Sequence, residues 1–342
     1  MTEWPFTSIV VPVFNGSGTI DDLLRSLIAL NYPRERYEII VVDSNSQDDT
    51  VQHVQRYPVK LLHEREMQSG FAARNRGVRA ATGETIAFTD ADCIAHPDWL
   101  CRLLTDHKDR RWGGFAGNTK ACRPVTDVQQ YFTAIGWFTP DFNRSSSFIP
   151  QSRGEHLCSR FKFLNYRTDM LIPSTLLNPP MVNVAYRKEI FDEIGYFDVR
   201  LTSGGDIDLA WRLQTQTDWQ IKTIPEAIVY HQHRHDLAGL VKLYRKNGWG
   251  YGLRALKYGS DARRIARQMA FESLILICLS IASHSVNFGV RLLGSLLHRS
   301  ADTLYLKTPI FAMLGSVNFY YGRLTAARKG NRWLSRSLIE GT

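Results

Sequence analysis

The sequence predicts an α/β fold: a mainly parallel sheet flanked by helices, followed by a helical C-terminal extension. Three observations predict it. Through the first 120 or so residues, short β-prone apolar runs alternate with helix-period segments, which implies parallel pairing with helices on both sheet faces. Three of those runs end in polar clusters, Asn15-Gly16-Ser17, Asp43-Ser44-Asn45 and Asp90-Ala91-Asp92, and the carboxyl ends of parallel strands are where such sheets hold ligands. From Arg234 onward 17 Lys/Arg stand against 5 Asp/Glu, a net +12, while the preceding part carries −3.

In chain order, Ser8–Val13 is an apolar strand closed by Asn15-Gly16. Thr19–Leu30 has helical spacing (Ile20, Leu23, Leu24, Leu27, Leu30) and stops at Asn31-Tyr32-Pro33. Strand Tyr37–Val42, helix Thr50–Tyr57, strand Val59–His63, helix Phe71–Ala81 and strand Glu84–Thr89 follow. Residues 120 to 180 mix Arg, Ser, Pro and aromatics without period, the composition of a functional loop or lid. Order resumes with Met181–Arg187, helix Lys188–Ile194 ending at Gly195, and helix Asp206–Gln214. A strand pair, Trp219–Ile224 and Ala227–Tyr230, is expected to turn at Pro225-Glu226. These elements divide the chain into a unit over 1–235, with a donor half of about 1–120 and an acceptor half of about 121–235, and a helical, basic region over 236–342.

The 342 residues suffice for a full α/β core plus an appendage. The near-neutral body and basic tail point to an anionic surface met by the tail alone, membrane or nucleic acid. Five dispersed cysteines without a CxxC pair suggest neither a disulfide framework nor a zinc ribbon, and the N-terminus does not read as a secretory signal, so a reducing cytoplasmic setting is expected. Within the tail, Ser273–Val290 has no formal charge and Ile310–Gly322 is a second apolar stretch. Ser, His and Asn dilute the first. Two readings stand: a buried helical hairpin, or an interfacial pair flanked by Arg263, Arg264, Arg267, Arg291, Arg328 and Lys329.

The run Thr85–Asp92 carries the chemistry. An apolar strand ends in two carboxylates at i and i+2, which in an extended chain point to one side and converge. Hard oxygen donors there suit Mg²⁺ or Mn²⁺, and such an ion holds a diphosphate. The cluster His231-Gln232-His233-Arg234-His235 follows a strand, and its alternating imidazoles share a face, so a zinc site is conceivable.

The motifs VPVFN at 11–15, VVDSNSQDDT at 41–50, GFAARNRGVRAATGETIAFTDADC at 70–93, NVAYRKEIFDEIGYFD at 183–198 and GGDIDLAWRL at 204–213, in this order, resemble an inverting family 2 glycosyltransferase with the GT-A fold, from Ser8 to about His235. The resemblance implies that Pro12, Val13 and Phe14 lie against a nucleotide base and that Asp43 accepts a base imide N–H, which favours uracil or thymine over adenine. It places Arg74 and Asn75 on a helix facing the base and diphosphate, Asp90 on the ribose and diphosphate, and Asp92 on the metal with His231. His233 and Arg234 would then face the diphosphate. Asp206 is the implied general base, although the acidic pair usual there reads Gly205-Asp206, and Ser44 stands where a second Asp is usual after Asp43. Asp208 and Trp211 are candidates on the acceptor side, and Trp137, Phe138 and Phe142 could stack on sugar rings.

The expected function is transfer of a sugar from a nucleoside diphosphate sugar, a UDP-sugar favoured, to a hydroxyl of a saccharide or lipid-linked saccharide, with Mn²⁺ or Mg²⁺. Expected partners are donor, acceptor and a peripheral membrane contact at the inner face of the cell membrane, with no nucleic acid. The alternative is a non-catalytic membrane- or polyanion-binding module using the basic tail, but anion binding alone needs none of Asp43, Asp90, Asp92 and Asp206. A sugar nucleotidyltransferase would need a basic Gly-rich loop, and VPVFNGSGTI has no Arg or Lys. No GxGxxG follows the first strand, so a dehydrogenase is unsupported.

Overall fold

A computed structural model describes residues 4–136, 176–259, 261–298 and 303–336. Strand β1 (Thr7–Val13) pairs in parallel with β2 (Tyr37–Asp43) on one side and β4 (Thr85–Phe88) on the other, and β2 pairs in parallel with β3 (Lys60–His63). The period of two sorts these strands onto two cores. Ile9, Val11, Val13, Ile39 and Val41 pack with Ile20, Leu23, Leu24 and Leu27 of α1 (Ile20–Ile28). Val10, Ile40 and Val42 face Phe71, Ala73 and Val78 of α3 (Gly70–Ala80), with α2 (Thr50–Val54) between β2 and β3 in the chain. Gly77 lets α3 lie close, since a Cβ there would run into Val10 and Val42.

The remaining elements are β5 (Cys93–Ala95), α4 (Trp99–Leu103), β6 (Trp112–Ala121), α5 (Asp127–Ala134), β7 (Val184–Arg187), α6 (Glu189–Ile194), α7 (Gly205–Gln216) and β8 (Gln220–His231). The eight strands form one sheet in the order β3-β2-β1-β4-β7-β6-β8-β5. Pairing is parallel through β3-β2-β1-β4 and again between β6 and β8, whereas β7 runs antiparallel to β4 and β6, and β5 antiparallel to β8. The sheet is therefore mixed in its second half.

The expected strand pair at 219–230 is instead one strand. Ile221–Ile224 and Ile228–His231 both pair in parallel with β6, and the register shifts between Gly117 and Asn118 to accommodate residues 225–227. Pro225 has no N–H to give the ladder, so the chain bulges rather than turns back. Buried Asn183 closes the bulge: its Nδ2 donates to Asn118 O (2.8 Å) and Ala227 O (2.9 Å), and its Oδ1 accepts from Trp99 Nε1 (2.8 Å).

Three long helices follow: α8 (Leu237–Tyr258), α9 (Ala262–His298) and α10 (Thr303–Arg336). Asp236 caps α8 by accepting from Gly239 N (2.7 Å). Helix α10 lies along α8, and α9 runs back along α10 with Glu272 paired to Arg323. Both ends of α10 are tied to the α/β unit, through Lys307 to Asp127 of α5 and through Trp333 Nε1 to Arg200 O (2.9 Å).

Candidate active site

The carboxyl ends of β1, β2 and β4 open onto one cleft edge. Beyond β1, Phe14 is 46% exposed, so core packing does not occupy it and its ring face is open to a flat ligand. Asn15 takes a left-handed conformation (φ 49°), and the loop after β1 is stitched to the loop after β2: Asn15 N donates to Ser46 Oγ (2.9 Å), Gln47 N to Asn15 Oδ1 (2.8 Å) and Gly16 N to Thr50 Oγ1 (2.8 Å). Asn45, also left-handed (φ 64°), turns the second loop back toward the first. Pro12 is half-buried, while the Val13 side chain belongs to the core and contributes only backbone, its carbonyl accepting from Ser44 N (2.8 Å). Asp43 is buried at the base of this pocket, accepting from Ser46 N (3.2 and 3.3 Å), with His63 Nδ1 at 3.5 Å. Two N–H···O contacts leave its carboxylate with spare acceptor capacity.

Helix α3 supplies a buried arginine. Arg74 donates to Gly70 O (3.2 Å) and pairs with Asp90, whose side chain is about one-third exposed. The ion pair fixes Asp90 at the end of β4 while leaving an oxygen outward. Asn75 behaves otherwise than expected. Its amide is consumed by the Phe197 backbone, Nδ2 donating to the carbonyl (2.9 Å) and Oδ1 accepting from the N–H (3.0 Å). Buried and satisfied on both sides, Asn75 clamps α3 to the loop before α7 and does not face the donor.

Asp92 and His231 meet as expected, with Nε2 3.3 Å from Oδ1, because β5 pairs antiparallel with β8 and sets Cys93 opposite His231. One donor atom each from Asp92, Cys93 and His231 lie within 4.8 Å of one another. Burial raises the Asp92 carboxyl above its ordinary value, with Asp90 adding to the effect and His231 and Arg234 opposing it. Oxygen and imidazole donors together fit a hard or borderline divalent cation. The Cys93 thiol is pushed well up by burial and then by Asp92, so it is protonated before any cation binds. Burial, and then His231, pushes His233 down to about 4, and its ring rests against Phe132 at 5.6 Å, so it can meet a diphosphate at neutral pH only as a neutral hydrogen-bond donor. Arg234 is exposed and lies close enough to act on Asp92.

Asp206 stands in the first turn of α7, behind Gly204 at the N-cap with φ 77°, and its Oδ1 accepts from Ile207 N (3.0 Å). Burial raises its carboxyl, while Arg254 and Arg74 pull it down, which places it beside the arginine that holds Asp90. The residue before it must be small: a Cβ at Gly205 would sit 2.9 Å from the Phe71 ring. That contact accounts for glycine where the resemblance implies an acid. Asp208, by contrast, is fully buried and saturated by Arg212 Nε (3.0 Å), Lys257 Nζ (2.6 Å) and Tyr258 Oη. It locks α7 to α8 and offers nothing to an acceptor. Trp211 packs on Tyr258 with ring centroids 4.6 Å apart, so its role too is at the α7–α8 contact. Trp137, Phe138 and Phe142 lie outside the described residues.

Sequence reasoning missed what α8 brings. Asn247 Oδ1 accepts from Ser203 Oγ (2.9 Å), and Arg254 Nη1 reaches Ser203 O (3.4 Å). A Cβ at Gly204 would overlap that guanidinium, so glycine here serves both its φ and the approach of Arg254. Lys246, also on α8, is an exposed side chain whose ammonium is turned toward Arg74, Asp90, Arg234 and Asp206; partial loss of hydration there, and then Arg74, pull it down. Tyr186 of β7 is fully buried with its hydroxyl near Asp206, and burial followed by that charge pushes it up. Nothing in the spacing of 237–258 marks these roles, because the α8 residues act through a turn some 50 positions upstream.

Arg254→Gln removes a cation that stabilises the Asp206 carboxylate. The folded-state value of Asp206, already raised by burial, rises further, and the ionised form is lost at higher pH as pH falls. The acidic limb of the kcat/KM profile is expected to move upward in pH, with the alkaline limb unmoved. A profile with an unmoved acidic limb contradicts the coupling.

Together the parallel β3-β2-β1-β4 half-sheet, the antiparallel β7, and acidic strand ends define the GT-A fold. The profile described as "Glycosyl transferase family 2" matches residues 8–195, more than half of the chain. The chain belongs to that family. A curated relative, glycosyltransferase AglE of Haloferax volcanii, is 28% identical over 59% of this chain and 59% of its own length. The pre-mycofactocin glycosyltransferase of Mycobacterium tuberculosis is 27% identical over 67% of this chain, which corresponds to only 43% of that protein. The chain thus matches less than two thirds of either relative. Among solved structures, mannosyltransferase PcManGT from Pyrobaculum calidifontis, in complex with GDP-Man and Mn²⁺, is similar in fold, with a TM-score of 0.55 at 18% identity, covering 92% of this chain and 87% of that one.

Proposed function

We propose that the protein is an inverting glycosyltransferase that moves a sugar from a nucleoside diphosphate sugar, a UDP-sugar favoured, to a hydroxyl of a saccharide or lipid-linked saccharide at the cytoplasmic face of a membrane. The observation that carries this reading is the convergence around Arg74: it pairs with Asp90 at the end of β4, and its charge acts on Asp206 at the start of α7. Phe14 and Asp43 offer a ring face and a carboxylate to the base, the second suited to an imide N–H. Asp90 and Arg234 face the ribose and diphosphate. Asp92 and His231 would hold Mn²⁺ or Mg²⁺, which supplies positive charge to the diphosphate when bound.

In the step itself Asp206 accepts the proton of the acceptor hydroxyl. The acceptor oxygen forms its bond to the anomeric carbon as the bond from that carbon to the diphosphate oxygen breaks, and the nucleoside diphosphate leaves with the electron pair. One displacement inverts the anomeric centre. The raised Asp206 carboxyl suits this task, since a base whose conjugate acid is less acidic takes the proton more readily.

The test is a screen of nucleotide sugars for slow hydrolysis with Mn²⁺ and with EDTA. Release of UDP from one or more UDP-sugars, lost in EDTA, is the expected result. Preference for a GDP-sugar would remove Asp43 as reader of a pyrimidine imide, and failure with every donor would overturn the enzymatic reading.

A further inference from the structure

Helix α9 is inside out. On the face packed against α10, the buried residues from Glu272 onward are Glu272, Ser273, Leu276, Ser280 and His284, four of the five polar. The opposite face carries Phe271 (65% exposed), Leu274, Ile281 and Leu292, with Val286 (68%) at its edge. Between Gln268 and Arg291 the only formal charge is Glu272, and it is buried against Arg323, with Gln268 Nε2 donating to it (2.9 Å). In water the apolar stripe belongs inside and the polar stripe outside. Of the polar residues that dilute the stretch, Ser273, Ser280 and His284 are on the protein-facing side, and Ser285 is exposed.

The occupant of the outer face is identified by what borders it. Exposed Arg263, Arg264 and Arg267 stand at the start of α9, and Ala327 packs against that same start, which brings exposed Arg328, Lys329 and Arg332 beside them. An apolar face rimmed by such cations matches acyl chains beneath anionic headgroups. Orientation follows from α10. Its two ends are held to the α/β unit by Lys307–Asp127 and by Trp333 to Arg200, and α9 runs alongside it. Both ends of α9 are therefore level with the water-soluble unit. A helix long and apolar enough to cross a bilayer, as the stretch Ala262–Leu293 is, cannot do so from that position without taking α5 and α8 with it.

We infer that α9 is a monotopic membrane anchor: it lies in the plane of an anionic bilayer, with Phe271, Leu274, Ile281 and Leu292 among the acyl chains, Val286 at the edge, and the arginine-rich end at the headgroups. This decides between the two readings of the apolar tail in favour of the interfacial one and gives the helix a face and a depth, and it does not depend on the transfer reaction. It holds the α/β unit at a fixed distance from the lipid surface.

The test uses full-length protein and vesicles of phosphatidylcholine and phosphatidylglycerol. Wild type is expected to float with the vesicles and to be only partly released by high salt. Phe271→Glu with Val286→Glu should weaken partitioning at least tenfold while donor hydrolysis stays as in wild type, which also shows that the variant is folded. Nitroxides placed singly at Leu274→Cys, Ile281→Cys and Leu292→Cys, in a background lacking the other accessible thiols, should all report one shallow depth, about 5–10 Å below the headgroups. Depths that pass through the midplane would overturn the proposal in favour of a spanning helix. Wild type that ignores vesicles and sediments as a dimer, dispersed by the same glutamates, would overturn it in favour of a second copy on that face.

Discussion

Asp206→Asn is expected to leave donor affinity near wild type and to lower turnover by roughly two to four orders of magnitude, the range for loss of a general base. The amide keeps the size of the carboxylate and its hydrogen bond from Ile207 N (3.0 Å), so the start of α7 should not rearrange. What is lost is the capacity to take a proton from the acceptor. The nearest rival cannot substitute, because Asp208 is closed off by Arg212, Lys257 and Tyr258. Turnover within a few-fold of wild type would place the base elsewhere.

Asp92→Ala is expected to abolish metal-dependent nucleotide binding. A single imidazole from His231 does not hold Mn²⁺ or Mg²⁺ against water, since such ions are bound chiefly by oxygen ligands. The variant should fold, because the Asp92 side chain is partly exposed and β5 keeps its backbone pairing through Cys93, Ile94 and Ala95. The loss should therefore be confined to the metal-dependent part of binding, leaving any weak contact made by Phe14 and Asp43.

The first half of this fold was legible because its signals are local. Period-two apolar runs and turn residues place β1 to β4 and α1 to α3 within a residue or a few of their observed ends. Strand β6, WGGFAGNTKA, was not legible: glycines are poor strand formers, and Gly114 is there because a Cβ would lie 2.9 Å from the Tyr186 ring, a partner 72 positions away. The site divides in the same way. Asp90, Asp92, Asp206 and His231 stand where strand or helix ends put them. Asn75 and Asp208 sit in the same motifs but are claimed by Phe197 and by Lys257, contacts that no local pattern encodes. Arg254 needed both the left-handed Gly204 and the path of α8. Helix α9 carries the same lesson for hydropathy: an average over its residues does not record that Glu272, Ser273, Ser280 and His284 face inward.

The central claim is a diphosphate site organised by Asp92 and His231, and calorimetry of UDP binding tests it most directly. Wild type is titrated with UDP in Mn²⁺ and in EDTA, and Asp92→Ala in Mn²⁺. Binding is expected to be strengthened by Mn²⁺ in wild type and to fall to the EDTA level in the variant. Equal affinity in all three titrations would contradict it.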